Sequence, residues 1–216
     1  IPTFLGTKTI TDFPLTELLP FVDWTPFFIA WELAGKYPNI LEDKVVGAPA
    51  RQLFEDAQRL LNEIIDGNLL QANAIIGFWP ANSDGDDIIV FEDDLRSKIK
   101  TRLHHLRQQM NKPNDQANFC LADYVAPRDS TLNDYIGGFV VTAGLGADDL
   151  AKKYEEQNDD YSAIMVKALA DRLAEAFSEK MHQLVRTEYW GYSTSESLSN
   201  EELIKERYQG IRPAPG

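Results

Sequence analysis

Asp171, Glu175, Glu179 and His182 recur at helical spacing within the stretch Asp159 to Gly191. At about 100° per residue they fall on one face, opposite a stripe of Leu169, Leu173, Phe177, Met181 and Leu184. Such a face is either a solvated polar surface or the wall of a cleft whose carboxylates accept hydrogen bonds from a ligand. Ala168, beside Glu175, suits the second reading, because a small side chain lets another segment come close. A second candidate is Arg212, in the closing run Gln209 to Gly216, where two prolines and two glycines exclude regular structure. A rigid, extended backbone there presents a guanidinium together with amide and carbonyl groups, an arrangement that can grip a small polar ligand. Asp23, ahead of Trp24-Thr25-Pro26, reads from its local sequence as a helix-capping carboxylate.

Several elements must position these groups. The stretch 159–191 has no Pro or Gly before its last residue, is rich in Ala, Leu, Glu, Lys and Arg, and predicts one long helix capped by Asp159 or Asp160. Residues 1–22 are punctuated by Pro and predict an extended lead-in with a short helical turn near Leu15 to Leu19. A helix is expected from Trp24-Thr25-Pro26 to near Gly35, and its dense aromatics, Trp24, Phe27, Phe28, Trp31 and Tyr37, read as core. Residues 49–66 carry the helical stripe Leu53, Ala57, Leu60, Leu61 and Ile64.

Strands follow at Ala72 to Pro80 and Asp87 to Phe91, joined through Asn82 to Asp86 as a hairpin. The acidic run is a turn rather than a calcium loop, because it lacks the glutamate that closes an EF-hand. From Arg96, alternation predicts a strand with Arg96, Lys98, Lys100 and Arg102 on one face, either a charge-protected edge or a docking patch for an acidic partner. Cys120 reads as core. Asp134 to Gly144 predicts a further strand in which Gly137-Gly138 permits a bulge or close approach, followed by a helix from GLGADD. A short helix capped by Ser199 or Asn200 precedes the closing run. Mixed helices and strands with a hairpin-length connection predict an α+β fold: a largely antiparallel twisted sheet, flanking helices and one long central helix.

Composition bounds the function. The 216 residues suffice for a real core, and a net charge of -13 opposes attraction to nucleic acid or anionic membranes. One cysteine cannot form an internal disulfide, which fits a reducing, cytoplasmic setting. No transmembrane-length apolar stretch, metal-ligand spacing, glycine-rich phosphate loop, catalytic carboxylate pair or nucleophile-base motif stands out.

Six motifs in order carry a resemblance. DWTPFF (23–28), LAGKYP (33–38), LADYVAP (121–127), DYIGGF (134–139), VKALADRLAEAF (166–177) and YQGIRPAPG (208–216) together resemble the activation domain of cobalamin-dependent methionine synthase. The resemblance implies a single domain spanning 1–216 that the family continues past Gly216, through the tyrosine of RPAPGY. It implies binding of S-adenosylmethionine and support for reductive methylation of inactive cob(II)alamin, with an electron from flavodoxin or an equivalent reductase. The cobalamin would sit on a neighbouring domain of the same enzyme, so the isolated domain is not expected to be catalytic alone.

Carried over by motif, Asp23 would hold the ligand's ammonium group and Arg212 its carboxylate. Ala214 and Gly216 would supply backbone contacts, and Glu175 would accept from ribose hydroxyls or the adenine amine. These expectations favour a cleft between the long helix, the start of the first helix and the C-terminal loop. Because flavodoxins are acidic, the resemblance also gives Arg96, Lys98, Lys100 and Arg102 a role in reductase docking. Two other readings are weighed beside it. An independent methyltransferase would need an acceptor site and a glycine-rich first loop, and an interaction module would bind no small ligand.

Overall fold

A computed structural model describes residues 1–113 and 116–213. Its strands are β1 (Gly6–Ile10), β2 (Gln71–Asp84), β3 (Asp87–Phe91), β4 (Ile99–His104) and β5 (Asp134–Leu145). Its α-helices are α1 (Thr25–Ala30), α2 (Gly47–Asp66), α3 (Ala147–Glu155), α4 (Asp160–Leu184) and α5 (Asn200–Ile204). The strands hydrogen-bond in the order β1-β2-β3-β4, and β5 also pairs with β2. Pairing is antiparallel between β2 and β3 and between β3 and β4. The expected α+β architecture, an antiparallel sheet with flanking helices and one long helix, is therefore present.

Contacts group the chain into two compact units. The first comprises residues 1–8, 75–139 and 188–191. Its hairpin is tighter than the acidic run suggests: β2 continues through Asn82 and Ser83 to Asp84, opposite Asp87. Gly85 takes φ +63°, which a two-residue hairpin turn needs at its first position. Ala81, Ile88, Val90, Cys120, Ala122 and Val125 form a buried cluster here. Gly137 is required because a Cβ would lie 2.7 Å from the Phe78 ring.

Arg96 corrects the alternating-cation expectation. It precedes β4, has φ +52°, and turns its guanidinium inward to Ala81 O at 3.2 Å, Asn82 Oδ1 at 2.7 Å and Asp134 O at 2.8 Å. It also lies over the rings of Phe91 and Tyr135. These acceptors are distant in sequence, so local alternation could not reveal them. Lys98 and Arg102 stay outside, paired with Glu92 and Asp84, and every residue of β4 is exposed.

The second unit comprises residues 9–74, 140–187 and 192–213 of the described chain. α4 is its centre and packs against α1, α2, α3 and the 3-10 turn Leu19–Phe21. Leu169, Leu173, Phe177 and Met181 are buried, as the periodicity requires, and the Asp159 carboxylate caps the helix by accepting from the Ser162 N–H at 3.0 Å. α2 buries Leu53, Ala57, Leu60, Leu61 and Ile64. Trp24, Phe27 and Phe28 are core, with Phe54 of α2 against Trp24 and Phe28.

Two helices end earlier than expected. α1 stops at Ala30, and Glu32 takes φ +58°, outside the right-handed region. The long helix is α-helical only to Leu184, then widens into a π turn over Val185–Tyr189. The Ser193 N–H returns to the Arg186 carbonyl at 2.9 Å.

Candidate functional site

The site belongs to the second unit and is built on α4. Glu175, Glu179, His182 and Arg186 follow one another at helical spacings, so they form a continuous polar stripe. Glu175 is exposed, Glu179 is half-buried, and His182 and Arg186 are buried. Of the two alternatives for this face, the burial of His182 excludes a fully solvated surface at that position. The C-terminal segment lies over this end of the helix: the Tyr208 ring meets His182 edge-on at 4.7 Å, and the Arg186 guanidinium lies 4.5 Å from its centroid. Gly210 permits the segment's path, with φ +91° and the Tyr192 hydroxyl 3.1 Å from where a Cβ would stand.

Arg186 is held by Glu196, whose carboxylate accepts from Nε at 2.7 Å and from Nη2 at 2.6 Å. Sequence reasoning missed this pair. The helical spacing of Arg186 from His182 was a signal, whereas Glu196 sits in a polar connection with no periodicity. Arg212 descends on the same stripe and donates through Nη2 to Glu179 Oε1. Glu175 lies one turn before Glu179 and its charge opposes ionisation of that carboxylate, whereas Arg212 favours it.

Asp23 is half-buried, and its Oδ1 accepts the Thr25 N–H at 2.9 Å; it stands one residue before the N-cap, Trp24, rather than at the expected cap position. The neighbouring Val22 carbonyl accepts from Asn200 Nδ2 at 3.2 Å, tying the start of α5 to the start of α1. Among the described residues, no hydrogen bond or ion pair joins Asp23 directly to Glu175 or Arg212. Ala214 and Gly216 lie outside the described residues.

Burial pushes the Glu179 carboxyl above its ordinary range; Arg212 and Arg186 oppose the shift, and Glu175 and Glu206 add to it. Burial, reinforced by Arg186 and Arg212, pushes the His182 imidazole down to about 3, so it is neutral at physiological pH. Five buried polar atoms on this surface have no partner among the described residues: Glu179 Oε2, Arg212 Nε, His182 Nδ1, Arg186 Nη1 and Asn200 Oδ1. A patch with unmet donors and acceptors of both signs can take a small zwitterionic ligand. Two cavities lie elsewhere: about 780 Å³ beside Ser83, Asp84 and Asp123 in the first unit, and about 200 Å³ among α2, α3 and the start of α4 in the second.

Residues 14–216 match the family described as "vitamin B12 dependent methionine synthase, activation domain". The chain belongs to this family. It is also similar to a crystal structure of the MetH reactivation domain bound to AdoHcy. The identity is 53%, the match covers 100% of this chain and 66% of that one, and the TM-score is 0.95. The chain therefore spans about two thirds of the length of the chain it matches.

No helix among the described residues is long and apolar enough to cross a membrane. Nor do three or more His, Cys, Asp or Glu among them gather where they could hold a metal ion.

Proposed function

We propose that this activation domain binds S-adenosylmethionine on the polar stripe of α4 and the C-terminal segment, in support of reductive methylation of inactive cob(II)alamin. The cobalamin is carried by a neighbouring domain of the parent methionine synthase, and the electron comes from flavodoxin or an equivalent reductase. One observation carries the reading: 53% identity, over the whole chain, to a reactivation domain crystallised with AdoHcy. S-adenosylmethionine supplies the methyl group.

The donor set fits such a ligand. Arg212 has an unpaired buried Nε that a ligand carboxylate can engage together with Nη2. Asp23 has a second oxygen for an ammonium group while Oδ1 holds the Thr25 N–H. Exposed Glu175 can accept from ribose hydroxyls or the adenine amine. Ala214 and Gly216 add backbone contacts. Free, buried Cys120 fits a reducing, cytoplasmic setting.

Lys98, Lys100 and Arg102, exposed on or beside β4 in a chain of net charge -13, form the reductase-docking edge. Arg96 contributes to it only by fixing the chain ahead of β4.

Calorimetric titration of S-adenosylmethionine, with Arg212→Ala as control, tests the ligand reading. Saturable binding that the substitution weakens by about tenfold or more supports it. Absence of binding by the folded protein would transfer the assignment to a protein-interaction module that takes no small ligand.

A further inference from the structure

We propose that Glu179 is an internal competitor for Arg212, holding the guanidinium until a ligand carboxylate displaces it. The inference rests on the ligand reading above and goes beyond it by giving Glu179 a role opposite in sign to a ligand contact.

Two ion pairs on the same end of α4 show why. Arg186 offers its Nε and Nη2 edge to Glu196 and takes both carboxylate oxygens, at 2.7 and 2.6 Å. Arg212 offers only Nη2 to Glu179 Oε1. Its Nε is buried without a partner among the described residues, and so is Glu179 Oε2. The Arg186 pair satisfies both facing positions and leaves only the outer Nη1 unmet, whereas the Arg212 pair leaves a donor and an acceptor unmet on the two facing groups themselves, each desolvated without return. Planar guanidinium and carboxylate groups favour the two-bond geometry wherever both can move into register. Glu179 and Arg212 do not reach that register, since only Nη2 and Oε1 meet. A free carboxylate can satisfy Nε and Nη2 together.

The surroundings of Glu179 agree with a weakly held partner. Its side chain is 22% exposed, and the carboxylates of Glu175 and Glu206 lie close enough to disfavour its charge. The balance of burial against the two nearby arginines still leaves its carboxyl above the usual range. Arg212 is therefore kept ordered by a group that gives it up at small cost. Ligands with a free carboxylate are selected over those whose carboxylate is esterified or absent.

The test is calorimetry with AdoHcy, whose sulfur carries no positive charge, on the wild-type protein, Glu179→Gln, Arg212→Ala and the double variant. Glu179→Gln is expected to bind about three- to tenfold more tightly than wild type, and this gain is expected to vanish in the Arg212→Ala background. Glu179→Asp, which keeps the charge but shortens the reach, gives a smaller gain and serves if the Gln variant is poorly folded. Unchanged or weaker binding by Glu179→Gln, with Arg212→Ala still impaired, would overturn the competitor and leave the ligand site standing. Full affinity in Arg212→Ala would overturn the assignment of Arg212 and the competitor with it.

Discussion

The guanidinium of Arg186 and the carboxylate of Glu196 form a two-bond pair with side chains only 0% and 4% exposed. The pair ties the connection after the π turn back onto the end of α4, beneath the Tyr208 ring. Burying two charges is costly, so the pair is better regarded as fixing one arrangement of the C-terminal segment than as a large net source of stability. Breaking one side is another matter. Glu196→Ala leaves an unpaired buried guanidinium and is expected to cost about 3–5 kcal/mol. Replacing both partners with apolar residues of similar volume, Arg186→Met with Glu196→Leu, is expected to cost much less. Urea unfolding of the two variants decides between these outcomes.

His182 makes stability depend on pH. Its folded-state pKa, about 3, lies below the ordinary value of 6.5, chiefly through burial. The unfolded chain therefore binds a proton that the folded chain refuses over this interval. The stabilising contribution is full above pH 6.5 and is lost as pH falls from there toward 3, with a slope approaching about 1.4 kcal/mol per pH unit. His182→Gln is expected to flatten this part of the profile. Unfolding free energies of both proteins at several pH values between 4 and 7, together with an imidazole NMR signal that stays neutral at pH 5, check the assignment.

Asp123 carries the opposite kind of shift. Hydrogen bonds from Arg107 and from the Cys120 N–H hold its carboxyl near 2. Because the folded value is depressed, its contribution is present above the ordinary value of 3.8 and fades as pH falls toward 2. Arg107→Ala is expected to move the Asp123 carboxyl titration upward, toward the ordinary range, while the Cys120 N–H keeps part of the depression. A carbon-detected NMR titration reads this directly.

Gly146 marks where β5 passes into α3. It has φ +96°, and a Cβ there would meet the Leu69 carbonyl at 2.8 Å. Conformational strain and steric overlap with backbone act together, so Gly146→Ala is expected to destabilise by about 1–3 kcal/mol. Gly85→Ala, at φ +63° with nothing nearby, suffers strain alone and should cost less. Thermal unfolding of the two single variants makes the comparison.

What could be read from the sequence follows the range of the forces involved. The stripe of α4 and that of α2 are local periodicities, and each apolar face found a core. The capping of α4 by Asp159 and of α5 by Ser199 needed only neighbouring N–H groups. Arg96 could not be placed by alternation because its partners are Ala81, Asn82 and Asp134, brought to it by the sheet. Whether His182 faces solvent or lines a cleft is not decided by local sequence, because its cover, Tyr208, arrives from a different part of the chain. Glu175, Glu179 and Arg212 were legible as chemistry-bearing residues, but the one-sided pairing of the last two is a property of tertiary geometry.

The different fates of four cations on or near β4 separate folding from docking. Lys98, Lys100 and Arg102 are on the surface; Lys98 pairs with Glu92, and Arg102 with Asp84 and more distantly with Asp87, in solvent-accessible pairs that contribute little to stability. Reversing the charge of Lys98 and Lys100 together should leave the melting temperature nearly unchanged. It should weaken the association of an acidic flavodoxin-type reductase by about tenfold or more at low ionic strength, with the difference shrinking as salt is added. Arg96→Ala should do the reverse, because it removes part-buried hydrogen bonds to two carbonyls and to Asn82 and lowers stability by about 2–4 kcal/mol. Binding measured at two salt concentrations, alongside thermal unfolding, distinguishes the roles. A reductase affinity indifferent to reversal of Lys98 and Lys100 at low salt would remove β4 from the docking surface.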